Sequence, residues 1–325
     1  MKWQRRLSFA ALVGMACGML IGLTSCEKKP TEVWPDKPGP KVLTSFAPIH
    51  CFALNVAGDD AIVKTLMTTK GPHDTGDASE QHLKLAAKCD VLFLNGLGID
   101  DKLGEKIKSS VKPDLNLFSL GSKFAEDDLF EGECKHEHHH QAGQPHHHPT
   151  DPHVWLGPKQ AKLMVGWIRD ELSRIDPGHA AGYSARAAAY IAKLDQLETE
   201  GKALLKTKTE RRLLTHHDSL QYFTEAFGLK IVGYVTSEGI EPGDERLKKI
   251  IADCQKYDCR IIAVEPQYPR NSAAATILSS LKKAGIQAEF VEVDPLETAD
   301  EKDLTADFYE RKMRQNLQNL ANVLR

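Results

Sequence analysis

Eight of the fourteen histidines in this chain fall between residues 136 and 153: His136, His138, His139, His140, His146, His147, His148 and His153. They repeat with neither the helical nor the strand period, and Gly143, Pro145 and Pro149 interrupt them. Such a tract cannot pack a core, so it reads as a solvated loop, about residues 134–150. Neutral imidazole is the commonest protein ligand for borderline transition metals. A purification tag has the same composition, but tags sit at termini and this tract is internal. The chain is therefore expected to meet a metal ion, and the question becomes what holds it.

The N-terminus follows an export pattern. Lys2, Arg5 and Arg6 precede an uncharged run from residue 7 to 25, whose strongly apolar part (9–23) is short for a membrane span of about 20 residues. The run ends Leu23-Thr24-Ser25-Cys26, which resembles a bacterial lipoprotein cleavage box, and that resemblance implies lipid on Cys26. Residues 1–25 are then a signal peptide and 26–41, rich in lysine and proline, an extended tether. Loss of the signal removes Lys2, Arg5 and Arg6 and no acid, taking the formal charge from -3 to -6. Nothing here suggests a nucleic-acid partner; a mildly acidic chain suits cation capture. Cys51, Cys89, Cys134, Cys254 and Cys259 remain, an odd number for an oxidising compartment. Cys254 and Cys259 are near enough in sequence for a local bridge, whose geometry the sequence cannot supply.

Short apolar, β-rich runs alternate with longer helical stretches. Runs at 42–46, 61–66, 91–94 and 115–118 are separated by helix candidates at 49–57, 79–88 and 100–109. The plan recurs with runs at 212–215, 230–235, 260–264 and 288–293, helix candidates at 219–227, 244–257 and 273–284, and a last one at 304–324. The pattern predicts an α/β fold of two similar lobes, each with a four-stranded, mostly parallel sheet wrapped by helices. Between them, 158–174 is helical, and 179–205 makes about 40 Å of proline-free helix. Its apolar residues Tyr183, Ala187, Tyr190, Ile191, Leu194 and Leu197 recur at three- and four-residue steps, so one face is buried. The division is an N-terminal lobe over 42–175, a rigid connecting helix over 176–206 and a C-terminal lobe over 207–325.

Open parallel sheets bind ligands outside the carboxyl ends of their strands. The residues just past each run are therefore informative. His50 succeeds the first and His73 with Asp74 the second; the fourth leads into the His-rich loop and His153. His216 and His217 come after the fifth, Glu265 after the seventh and Asp294 after the eighth. His216 and His217 are adjacent, so in extended chain only one faces a cleft. His82 and His179 read as surface residues. Asn95-Gly96-Leu97-Gly98 lacks the spacing of a dinucleotide fingerprint.

These motifs resemble the cluster A-I metal-binding solute-binding lipoproteins of ABC importers, from about residue 42 to the C-terminus. Ser45-Phe46-Ala47-Pro48 with Asn55-Val56-Ala57-Gly58-Asp59 is similar to the family's opening segment, and Asn95-Gly96-Leu97-Gly98 to its strand-end turn. Gly71-Pro72-His73-Asp74, Asp151-Pro152-His153-Val154-Trp155-Leu156, His217-Asp218-Ser219-Leu220-Gln221-Tyr222-Phe223 and Val293-Asp294-Pro295-Leu296 resemble its four ligand segments. The resemblance implies one ion held between the lobes by His73, His153, His217 and Asp294. Manganese receptors of the family usually have glutamate where His217 stands. Three imidazoles and a carboxylate suit Zn2+, with Mn2+ the runner-up. The chain departs from the pattern after His73, where Asp74-Thr75-Gly76-Asp77-Ala78 replaces the usual aromatic and proline. His50, Asp74 and Glu265 are possible further members of the shell.

The resemblance also implies a function: a monomeric, non-enzymatic, lipid-anchored exported receptor that captures zinc and delivers it to an ABC permease, with the loop histidines gathering the ion loosely. Zinc binding needs neutral imidazole, so affinity is expected to fall below about pH 6.5. Two other classes are open. One is a zinc hydrolase with Glu265 as base, disfavoured because four ligands leave no position for water. The other is a surface metal buffer or adhesin.

Overall fold

The two halves of the chain build the same sheet. In this computed structural model, which describes residues 33–67, 78–132, 149–236, 240–266 and 272–325, β1 (Lys41–Thr44), β2 (Ile62–Thr65), β3 (Val91–Leu94) and β4 (Leu117–Ser119) lie in the order β2-β1-β3-β4. β5 (Arg212–Thr215), β6 (Lys230–Tyr234), β7 (Ile261–Val264) and β8 (Glu289–Glu292) lie in the order β6-β5-β7-β8. Every ladder in both sheets is parallel. Parallel neighbours need long crossovers. Helices supply them: α1 (Ala47–Ala57), α2 (Glu80–Ala86) and α3 (Asp101–Val111) in the first lobe, α6 (Gln221–Phe227), α7 (Asp244–Lys256) and α8 (Ser272–Lys283) in the second. All four residues of β3 and of β7 are buried, as continuous apolar strands covered on both faces should be. The strand order reverses between β1 and β3, and again between β5 and β7. Those switch points open a crevice at the carboxyl ends.

Three more α-helices lie among the described residues: α4 (Pro158–Ile175), α5 (Ala180–Leu205) and α9 (Phe308–Val323). The 26 residues of α5 bury Tyr183, Ala187, Tyr190, Leu194, Leu197, Gly201 and Leu205, a single stripe at steps of three and four, with Ile191 at its partly buried margin. Arg186 of this helix donates to the carbonyl of Val56 (2.8 Å) and to Asp60 (2.6 Å), satisfying an orphan carbonyl at the end of α1. One apolar cluster continues from β1 and β3 through α1, α4 and α5 to α6 and α9. A second, smaller one lies between the other face of the β5–β8 sheet and α7 and α8.

The tether expected over 26–41 is docked from Val33 onward. Trp34 is 1% exposed, and its indole N–H donates to the Leu85 carbonyl at 3.0 Å. A lone aromatic in a Lys/Pro-rich stretch buries enough area to overcome the local composition.

Gly201 of α5 packs tightly against α6 and α9. A Cβ there would lie 2.4 Å from Phe227 Cε1 and 2.7 Å from Leu317 Cδ1. Gly201→Ala should therefore lower stability by about 1–3 kcal/mol through overpacking, although alanine is the better helix former. Urea unfolding of the two proteins checks this; an equal or raised midpoint would show that α6 and α9 can yield.

Candidate metal centre

The second-lobe half of the site grows from the β5/β7 switch point. β5 ends at Thr215 and the chain continues into His216 and His217. Thr236 holds the His216 carbonyl through its N–H (2.8 Å) and its hydroxyl (3.1 Å), and the Thr215 hydroxyl donates to the His217 carbonyl (2.9 Å). With the backbone so fixed, the His217 Nδ1–H donates to Glu265, the residue after β7, at 2.5 Å. That leaves Nε2 facing the crevice. Adjacent His216 is also buried, but it does not join the cluster of metal-ligating atoms built around His217. Burial first, then the neighbouring His217, lowers its pKa to about 4.

The other half comes from Asp151-Pro152-His153. The Asp151 carboxylate accepts both the backbone N–H of His153 (2.9 Å) and its ring Nδ1–H (2.7 Å). Asn95, at the end of β3, anchors the segment by donating to the Pro152 carbonyl at 2.9 Å. His153 thus repeats the arrangement of His217: Nδ1 on a carboxylate, Nε2 outward. Such outer carboxylates fix the tautomer and turn the ring toward a metal.

Glu297 is the third member, and sequence reasoning missed it. Its Oε1 lies 3.4 Å from His153 Nε2 and 3.4 Å from His217 Nε2. Among the described residues these three side chains form the only group of three or more His, Cys, Asp or Glu able to share an ion, and all three are buried. Ligand atoms about 2.0–2.1 Å from a tetrahedral zinc stand about 3.3–3.4 Å apart, so both distances match an edge of that tetrahedron.

Asp294, the residue expected in this role, is not brought to the cluster. Its Oδ2 takes Lys312 Nζ at 2.7 Å and its Oδ1 accepts the Leu296 N–H at 2.8 Å. The carboxylate is thus spent on a turn that carries Leu296 into the left-handed region (φ 63°) and presents Glu297 three residues on. The available signal was a second carboxylate, Glu297, closing Asp294-Pro295-Leu296-Glu297. Trp155 ties this turn to the His153 segment. Its indole N–H donates to the Pro295 carbonyl (2.8 Å), its own carbonyl accepts from Tyr309 of α9 (2.8 Å), and its ring packs 5.2 Å from that of His153.

Electrostatics favour a cation here. Burial alone pushes His153 toward the neutral form, but Asp151 and Glu297 outweigh it and raise its pKa from 6.5 to about 9. His217 is likewise carried well above 6.5 by Glu265 and Glu297 against the effect of burial. Burial raises the Glu265 carboxyl, and His217 opposes that rise.

Of the other expected residues, His50 lies buried on α1 with Nδ1 3.4 Å from the Thr44 hydroxyl, outside the cluster, and burial lowers its pKa to about 4. His73, Asp74, Cys26, Cys134 and the loop histidines His136, His138, His139, His140, His146, His147 and His148 lie outside the described residues. The roots of the His-rich segment are described. Glu131 and Thr150 form a bridge, Gly132 N–H donates to the Pro149 carbonyl (2.6 Å), and the Tyr222 hydroxyl of α6 contacts both Phe130 N–H and the Asp151 carbonyl at 3.0 Å. Both of these roots therefore lie together just ahead of His153.

Known proteins share this architecture. The Zinc-binding protein AdcA of Streptococcus pyogenes serotype M1 is 29% identical over 289 residues, covering 86% of this chain and 55% of its own length. The High-affinity zinc uptake system protein ZnuA of Brucella abortus (strain 2308) is 34% identical over 176 residues, 54% of this chain and 49% of that protein. The chain thus spans about half the length of the curated relatives it matches. Among solved structures, the solute-binding protein FpvC from Pseudomonas aeruginosa in complex with Mn2+ superposes with a TM-score of 0.75 at 25% identity, covering 88% of this chain and 99% of that one. A crystal structure of ZnuA shares the fold, with a TM-score of 0.71 at 24% identity over 89% of this chain and 100% of that one. The profile described as "Zinc-uptake complex component A periplasmic" matches residues 42–323, nearly all of the fold, and the chain belongs to that family.

Proposed function

We propose that this chain is the receptor of a zinc importer: it captures Zn2+ between its lobes and delivers it to the membrane permease of an ABC transporter. The observation that carries the reading is one carboxylate oxygen, Glu297 Oε1, set 3.4 Å from two imidazole nitrogens that outer carboxylates have already turned toward it. Two imidazoles, each at a tetrahedral edge distance from one carboxylate oxygen, suit zinc, whereas manganese favours oxygen-rich octahedral shells. Mn2+ stays the runner-up, because FpvC was solved with it. His73 supplies the fourth ligand in this reading, on the strength of its motif. The relatives from Streptococcus and Brucella are named for zinc, and the pneumococcal one is named a lipoprotein, which supports export and lipid anchoring through Cys26. The histidines of the 133–148 segment, rooted beside His153, gather zinc ahead of the site. A hydrolase fits less well. Glu265, its would-be general base, is spent on His217 Nδ1.

Charge balance shows why the exchange is feasible. With Asp151, Glu265 and Glu297 ionised and both imidazoles protonated, the buried site carries one net negative charge. Replacing the two imidazole protons by one divalent cation leaves that charge unchanged. Zinc is then taken up without adding to the buried charge.

Glu297→Gln, His153→Ala and His217→Ala should each weaken zinc binding by at least about 100-fold, and Glu265→Gln by about 10–100-fold. Asp294→Asn should leave affinity within a few-fold. Competition against a chromophoric chelator measures all five; a large loss in Asp294→Asn with none in Glu297→Gln would restore Asp294 as the ligand. Deleting residues 135–148 should lower the number of loosely bound zinc ions and leave the tightest site intact in the same titration.

The raised imidazole pKa values move the pH dependence upward from the sequence-based value. Zinc affinity should weaken as pH falls below about 9, not only below 6.5, with release of about two protons per ion near pH 7.5. Calorimetry in buffers of different ionisation enthalpy counts those protons, and a count near zero would refute the assignment. In the metal-free protein, stabilisation from the His153 ion pairs is complete below pH 6.5 and is lost as pH rises through about 9. Thermal melts of metal-free protein should therefore fall over that window, through this group, while zinc-loaded protein holds.

A further inference from the structure

The end of α7 brings two thiols together. Cys259 N–H donates to the Cys254 carbonyl at 2.8 Å, Asp258 N–H donates to the Gln255 carbonyl at 3.3 Å, and Asp258 is left-handed (φ 49°). These are the paired bonds of a Schellman cap, in which the third residue from the helix end and the third beyond it commonly pack side chain on side chain. Here those positions are Cys254 and Cys259. Both residues are fully buried beneath α7 and α8. The 2.8 Å bond holds their Cα atoms at most about 6.7 Å apart, inside the span of a disulfide. The Cys259 Sγ approaches the Ile261 and Arg212 carbonyls at 3.5 and 3.7 Å, and the other described cysteines lie elsewhere. The Cys51 thiol donates to the Ala306 carbonyl and the Cys89 thiol to the Ala86 carbonyl, each in a different part of the fold.

We propose that Cys254 and Cys259 form a disulfide in the exported protein, a covalent clasp across the end of α7 that fixes the lead-in of β7, the strand that delivers Glu265 to His217. The inference rests on the exported setting proposed above and not on the metal. A disulfide oxidant of the exported compartment supplies the chemistry. One cysteine thiolate attacks the oxidant's disulfide and displaces one of its sulfurs, forming a mixed disulfide. The other cysteine thiolate attacks the protein sulfur of that bond and releases the oxidant as a dithiol. Two protons and two electrons leave the cysteine pair, and the oxidant gains the electrons. Because both thiols are buried, the exchange takes place as the second lobe folds.

The test is peptide mass spectrometry of the mature chain from residue 27, produced in an oxidising compartment and alkylated under denaturing, non-reducing conditions. Trypsin cuts after Lys249, Lys256 and Arg260, so peptides 250–256 and 257–260 stay joined only through the bridge. The expected result is the joined pair, two hydrogens lighter than its separate thiols, while Cys51 and Cys89 are alkylated. Recovery of both peptides alkylated, from this material and again after refolding with oxidised glutathione, overturns the proposal. Reductant should also lower the melting temperature of the wild type by about 5 °C and leave Cys254→Ala/Cys259→Ala unmoved. An equal response in the two would remove the clasp. Zinc titration of the same samples separates the proposals: a bridged protein that binds no zinc sinks the receptor reading and leaves the disulfide standing.

Discussion

Two imidazoles and three carboxylates buried in one crevice are the constraint on which this structure turns. Each ring has one nitrogen committed to an acid, Asp151 or Glu265, and the other aimed at Glu297. So much carboxylate in a low-dielectric setting demands positive charge. Protons on the imidazoles provide it, and in the proposed receptor a divalent cation would provide the same amount by displacing them. The outer acids act twice: they set which nitrogen faces the crevice, and they keep the site basic enough to attract a cation.

That arrangement has to be held from both sides. The second lobe contributes His217 and Glu265 from neighbouring strands of one sheet, whose spacing is set by backbone pairing. His153 arrives on an irregular segment instead, and Trp155 steadies it by bonding to Pro295 and accepting from Tyr309. Behind them, the apolar cluster continues across α1, α4, α5, α6 and α9. A hinge swinging the lobes wide would have to break that cluster, so the architecture favours a nearly preformed site with small local adjustment.

Much of the fold could be read from the chain alone. Alternating short apolar runs and helices forecast two parallel four-stranded sheets, and α5 follows the stripe from Tyr183 to Leu197. His153 and His217 were legible because imidazole at a strand end or loop closure has few structural uses. Glu297 was not, because Asp294 comes first after β8 and looks equally able to bind. Lys312, eighteen residues further on, and the Leu296 N–H occupy the Asp294 carboxylate, and only the folded chain shows it. Trp34 escaped notice for a similar reason: its partner carbonyl, Leu85, lies far along the chain.

Sequence by itself determined the local matters: which segments are strands or helices, that the strands must be parallel, and that imidazole and carboxylate gather at their carboxyl ends. Those stem from side-chain periodicity and chain connectivity, which act over a few residues. Tertiary structure decided which acid orients each histidine, which acid sits between the two imidazoles and which cysteines share a helix cap. Those choices depend on distances of a few ångströms between residues far apart in the chain or across a helix cap, and spacing along the sequence does not encode them.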